Sequence, residues 1–198
     1  MLSKAEVTTK YILEKVAPIF NQKGYAATSM DDITTATGLT KGAIYGNFKN
    51  KEALAIEAFK KNANDLLLHI SRHQELSKSP LQKLLLITDF YRNYYSFSKK
   101  LGGCPLLNVG VDSNNQETAI SIEVKNIIQK TQNNIVKLIE WGKEQGEIKE
   151  SVDALQYAKR LYINIQGAVF MTYTMEDASY LQLAMDELNN YIKTEIAN

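Results

Sequence analysis

Thr40, Lys41, Gly42 and Tyr45 place two hydroxyls, one ammonium and one residue without a side chain in the short stretch T-K-G-A-I-Y. Their joint chemistry is that of nucleic-acid contact. Threonine and tyrosine hydroxyls hold phosphate oxygens, lysine supplies positive charge, and glycine lets a backbone approach a base edge. Catalytic chemistry has much less to work with. The sequence has no phosphate-binding loop, no Ser-His-Asp elbow and no paired metal motif, and it holds two histidines, His69 and His73, four residues apart.

The surrounding residues supply the elements needed to position that stretch. Ser29 followed by Asp32 reads as a helix start, with the hydroxyl accepting an early backbone N–H and the carboxylate favoured at the positive helix end. A short helix is expected from Met30 to Thr37. Gly38 supplies the backbone freedom needed just past its end, Leu39 plugs the gap, and Thr40 caps the next helix. In that second helix Ile44 and Phe48 stand four apart and pack inward, which turns Thr40, Lys41, Gly42 and Tyr45 to the opposite side. Asn50 is suited to cap a third helix beginning Lys51-Glu52-Ala53-Leu54. Two helices split by so short a turn cross steeply, as in a helix-turn-helix. An ordinary helical hairpin with solvated polar residues is the alternative, and packing alone rarely yields this ordered series.

The run T-G-L-T-K-G-A-I-Y-G-N-F-K-N-K-E-A-L resembles the DNA-binding signature of the TetR/AcrR repressors, and the resemblance covers roughly residues 5 to 60. It implies that Thr28 or Ser29, Thr40, Tyr45 and Lys51 touch phosphates, while Lys41 and Gly42 face the major groove. Where the family often carries an aromatic and a histidine, this chain has Gly46 and Asn47, and the Asn47 amide can still donate to a phosphate. The implied fold is all-α. A three-helix helix-turn-helix domain over residues 1–60 precedes a helical effector-binding and dimerisation domain over residues 61–198.

Bulk properties agree with a globular DNA binder. The chain has 198 residues, 44% hydrophobic and 23% charged. No apolar run approaches the roughly 18 residues that span a bilayer, and the start M-L-S-K-A-E-V-T-T-K lacks the apolar segment of a secretory signal, so no membrane association and a cytoplasmic location are expected. One cysteine allows no intramolecular disulfide. The net charge of +1 conceals an asymmetry, because residues 1 to 61 hold nine lysines against six acids. That surplus falls on the segment expected to meet DNA, and dimerisation doubles it.

The remaining chain reads as helices. Ile12, Leu13, Val16, Ile19 and Phe20 form an apolar stripe that Gly24 is placed to end, and a long helix is expected from Lys51 to Glu75. Ser79 and Pro80 open the next helix, which runs into an aromatic region containing Tyr91, Tyr94 and Tyr95. A further long helix stops near Gly146. Two late stripes follow, Ala158, Leu161, Tyr162, Ile165, Ala168, Val169 and Thr172, then Leu181, Ala184, Met185, Leu188, Tyr191 and Ile192. They either complete a core or pair with another chain; the resemblance favours a homodimer through the two C-terminal helices.

Three other sets carry possible chemistry. Tyr91, Tyr94, Tyr95, Trp141, Tyr162, Phe170 and Tyr173, with Cys104 at the edge, are expected either to line a pocket for an unknown small-molecule effector or to serve as core. Cys104 itself, ahead of Pro105 in the G-C-P-L-L-N segment and near Lys99 and Lys100, is either an oxidant-sensitive thiol at a helix start or a small buried side chain. Asp65, His69 and His73 form a polar edge, with metal binding the less favoured reading, and no metal or cofactor is expected. The reading that follows is a homodimeric, ligand-responsive repressor of operator DNA and not an enzyme. Alternatives are a repressor triggered at Cys104, a helical thiol enzyme, and an interaction adaptor.

Overall fold

The computed structural model describes residues 3–99, 101–114 and 118–198, and every extended regular element among them is helical. In chain order these are α1 (Lys4–Ala27), α2 (Met30–Thr37), α3 (Lys41–Tyr45), α4 (Lys51–Gln74), α5 (Pro80–Arg92), α6 (Tyr94–Lys99), α7 (Pro105–Asp112), α8 (Ala119–Glu144), α9 (Ala154–Met175) and α10 (Ser179–Tyr191), closed by a π-helical turn over Ile192–Ile196. No helix among the described residues is long and apolar enough to cross a membrane.

The helices form two compact units, and the division does not follow the chain. One unit comprises Met1–Leu66 and Lys100–Lys125; the other comprises Leu67–Lys99 and Asn126–Asn198. A linear division at residue 60 therefore leaves α7 and the start of α8 on the far side from the helices they pack with.

In the first unit, local signals fix the helix ends. Ser3 and Glu6 form a reciprocal capping box at α1, and Ser29 and Asp32 form one at α2. Gly38 lies in the left-handed region at φ 67° and its N–H donates to the Thr34 carbonyl, which ends α2. The Thr40 hydroxyl accepts from the Ala43 N–H and Asn50 accepts from the Ala53 N–H, opening α3 and α4. Ile12, Val16, Phe20, Ile33, Ile44, Phe48, Leu54, Ala58 and Ile120 make the shared core.

Gly24 interrupts α1 at the position where the sequence places its end. It kinks the helix at φ 77° and ψ 171°, and one further turn runs to Ala27. The Tyr25 N–H and the Asn21 carbonyl, which an unbroken helix would join, are taken up by α7. Asp112 accepts from the Tyr25 N–H at 3.0 Å and the Asn108 amide donates to the Asn21 carbonyl at 3.0 Å. The Asn108 amide also donates to the Gly102 carbonyl at 2.9 Å, and the buried Asn21 amide donates to the carbonyls of Leu101 and Gly103. The G-C-P-L-L-N segment thus clips α7 and its preceding loop to α1.

In the second unit α10 packs on α9 and α5, and α6 packs on α9. Leu84, Ile87, Tyr91, Ile139, Leu161, Ile165, Val169, Leu181, Met185 and Ile192 fill its interior. The two late apolar stripes therefore complete the monomer core. A different face of the same helices is left in solvent, where Leu155, Ile163 and Phe170 of α9 and Leu183 of α10 are each at least half exposed. Gly146, at φ 68°, turns the chain after α8. The terminus is held by an antiparallel bridge between Ile148 and Ala197.

Candidate nucleic-acid interface

Helix α3 is a short platform. Ile44 is fully buried, and around it Thr40, Lys41, Gly42 and Tyr45 are exposed. The helix ends at Tyr45, one turn earlier than the Ile44–Phe48 spacing suggests, and Gly46 caps it. Phe48 nevertheless reaches the core, because its N–H donates to the Ile44 carbonyl and continues the inward direction for one more turn. A Cβ on Gly42 would meet nothing closer than the Thr40 hydroxyl at 3.9 Å, so the outer face of α3 is open.

Charges around this platform are paired with one another. Lys41 Nζ stands 2.8 Å from Asp31 Oδ1, and the attraction raises the lysine pKa. Lys23 donates to Asp32 at 2.8 Å; that bond and those from the Ser29 N–H and hydroxyl hold the Asp32 carboxyl far below the ordinary range. Lys51 lies 4.6 Å from the centre of the Tyr25 ring, a cation–π contact at the start of α4. Such exposed pairs are weak in water and open readily to a phosphate.

Two residues expected at the DNA face are committed elsewhere. Thr28 is fully buried, with its hydroxyl donating to the Gly24 carbonyl, which leaves Ser29 as the exposed hydroxyl at the start of α2. The Asn47 amide donates to the Ala43 carbonyl at 2.9 Å, and its oxygen accepts from the Thr9 hydroxyl at 3.1 Å, so Asn47 ties the end of α3 to α1. Tyr11 performs a similar task, donating to the Thr37 carbonyl at 2.9 Å. Sequence reasoning missed Thr9, Tyr11 and Tyr25, since these contacts join positions too distant for helical spacing to signal.

The second unit contains a cavity of about 420 Å³, of the size that takes small molecules. Of the residues expected there, Tyr91, Trp141 and Tyr162 line it, together with Leu67, Ile70, Ile87, Ile135, Leu138 and Ile165. The others are placed differently. Tyr94 is buried in a ring cluster with Phe90, Tyr91 and Phe97; Tyr95 meets Tyr173 edge-on, and the Tyr173 hydroxyl bonds Ser98. Phe170 faces solvent. Aromatic residues at helical spacing thus divide among core, cavity and surface, because helix rotation assigns them to different neighbours.

Cys104 belongs to the first unit, where it precedes α7 and is fully buried. Burial denies an oxidant or electrophile the access that thiol sensing needs, which favours the bland alternative. Lys100, expected to tune that thiol, lies outside the described residues, and Lys99 sits over the Tyr95 ring. Asp65, His69 and His73 do not act as a set. Asp65 pairs with Lys61, His69 meets Phe97 edge-on, and His73 bonds Asp89 at 2.8 Å.

The similarities to known proteins agree with this geometry. Residues 12–58 match the family described as bacterial regulatory proteins, tetR family, and residues 80–188 match the Tetracyclin repressor-like, C-terminal domain. A TetR transcriptional regulator from Chloroflexus aurantiacus J-10-FL is 31% identical over 99% of both chains, with a TM-score of 0.93. A TetR-family regulator from Cytophaga hutchinsonii is 32% identical over 98% of this chain and 96% of that one, with a TM-score of 0.90. The HTH-type transcriptional repressor DhaR of Mycobacterium sp. (strain GP1) is 26% identical over 164 residues, 81% of this chain and 79% of that protein. With both domains matched and a helix-turn-helix whose outer face is open, the chain belongs to the TetR family of bacterial transcriptional regulators.

Proposed function

We propose that the protein is a homodimeric repressor that binds operator DNA through α2 and α3 and leaves it when a small molecule enters the second unit. The observation that carries this reading is the exposed Thr40, Lys41, Gly42 and Tyr45 surface on a helix seated by buried Ile44. Lys41 and Gly42 face the base edges, while Ser29, Thr40, Tyr45 and Lys51 hold phosphates. Lys41 exchanges Asp31 for DNA at that step.

The outward face of α9 and α10 supports a dimer. Leu155, Ile163 and Phe170 recur along one side of α9, and Leu183 adds to them from α10. Between Ile163 and Phe170, Gly167 has open space around its Cβ position and permits a second helix to come close. A helix-turn-helix protomer reads one half-site, and pairing sets two reading helices about one DNA turn, roughly 34 Å, apart. Repression is favoured over activation by the relative named a transcriptional repressor. Release is a population shift: an effector that binds better to a dimer whose reading helices mismatch the grooves lowers operator affinity, by about 5- to 150-fold for ordinary coupling.

Fluorescence anisotropy with the gene's own upstream DNA, alongside light scattering of the free protein, tests this. The Ile163→Glu variant should fold normally, run as a monomer and lose cooperative operator binding. A dimer that survives Ile163→Glu and an equivalent Phe170→Glu change would show that pairing uses another face.

A further inference from the structure

The cavity in the second unit is amphipathic in a way that specifies its guest. Its deep wall is apolar, with Ile87, Tyr91, Ile135 and Ile165 all buried. Its polar lining includes Ser71 on α4 and Asn134 and Lys137 on α8, and all three are exposed, which sets them at the mouth. Among the described residues Lys137 is the one charged residue in the lining, and no acid lines the cavity with it. Glu140, the acid nearest to it along α8, is paired with Lys143 at 3.0 Å.

We infer that the effector is an amphiphilic organic monoanion, its apolar body in the cavity and its anionic head, a carboxylate in the simplest case, at Lys137. This rests on the reading of that cavity as the effector site. A neutral apolar guest would bury its body equally well and leave Lys137 without a partner. A cationic guest would set like charges together at the mouth. An anion whose charge stays at the solvated rim avoids the large desolvation penalty of a buried ion and gains a charge-assisted hydrogen bond from the ammonium. Asn134, one turn before Lys137 on the same helix, adds an amide donor to the same head group.

Trp141, the sole tryptophan, also lines the cavity and reports occupancy by its fluorescence. The full-length protein is titrated with decanoate, decanol and decyltrimethylammonium, each below its micelle concentration, and operator binding is followed on the same samples. Decanoate should bind about three- to tenfold tighter than decanol, as expected for one ion pair at a partly solvated rim, with the cation weakest. Lys137→Gln should bring decanoate and decanol within about twofold of each other, and Lys137→Arg should restore the difference. Equal affinities in the parent, or a preference that persists in Lys137→Gln, would overturn the anion assignment while keeping the cavity as a ligand site. Silence from all three probes would overturn both, and DNA binding measured in parallel keeps the regulator reading separate.

Discussion

Replacing Asn108 with alanine tests whether α7 stabilises the kink in α1. The Asn108 amide donates to two carbonyls, that of Asn21 at 3.0 Å and that of Gly102 at 2.9 Å. Water does not readily replace the lost donor at the Asn21 carbonyl, because Asn21 is 3% exposed and its own amide is already committed to Leu101 and Gly103, and Gly102 is half-buried. A lost hydrogen bond to a part-buried acceptor costs about 1–1.5 kcal/mol, so Asn108→Ala should destabilise by about 2–3 kcal/mol. In a chain of this size that corresponds to a fall of about 4–12 °C in Tm. Asp112→Asn supplies the control: its side-chain oxygen can still accept from the Tyr25 N–H, so the loss should stay below about 1 kcal/mol. Urea unfolding followed by circular dichroism reads both variants. An Asn108→Ala protein within about 0.5 kcal/mol of the parent would show that water closes the break as well as α7 does, and would refute a stabilising role for the clip.

Further outcomes follow from the same contacts. Gly38→Ala forces a side chain into the left-handed region where nothing crowds it, so the loss of about 1 kcal/mol should be purely conformational. Gly46→Ala, at φ −69° with ordinary contacts at 3.4 Å or more, should be neutral or stabilise by up to about 0.5 kcal/mol in the same melt. Asp32, whose folded pKa lies below its ordinary 3.8, contributes stability that is present above that value and lost as pH falls through the folded pKa. Asp32→Asn should therefore lower the urea midpoint at pH 7 and differ progressively less from the parent as acid is added below pH 4, whereas a constant difference would refute the assignment. Lys41→Ala should weaken operator binding and relax base preference, and Tyr45→Phe should weaken binding uniformly; anisotropy across a set of mutated operators separates the two.

Local physics made much of this protein legible from its residues. Ser29, Asp32, Gly38, Thr40 and Asn50 declare helix ends because capping groups act within three or four positions, and α2 lies where those signals put it. Apolar periodicity likewise marked the stripes of α9 and α10. It did not say what would cover them. The stripes turned out to be core, and the sparser Leu155, Ile163, Phe170 and Leu183 face was left outside, because a monomer buries its widest apolar face first.

The same limit explains the changes at the site. Thr28 sits next to Ser29 in the chain, yet the kink at Gly24 brings it inward and satisfies its hydroxyl locally. Asn47 stands on the expected DNA side, but Thr9, 38 positions earlier, claims its oxygen. Tyr91, Trp141 and Tyr162 share a cavity while Phe170 does not, since helix rotation and neighbours, rather than residue type, choose which aromatics converge. The sequence by itself determined the helices, their caps and the polar residue types exposed on α3, all set by interactions within a turn or two. Only the tertiary structure decided which faces are buried, which polar groups are already engaged, and where one lysine meets an apolar cavity, because those depend on contacts between residues tens of positions apart.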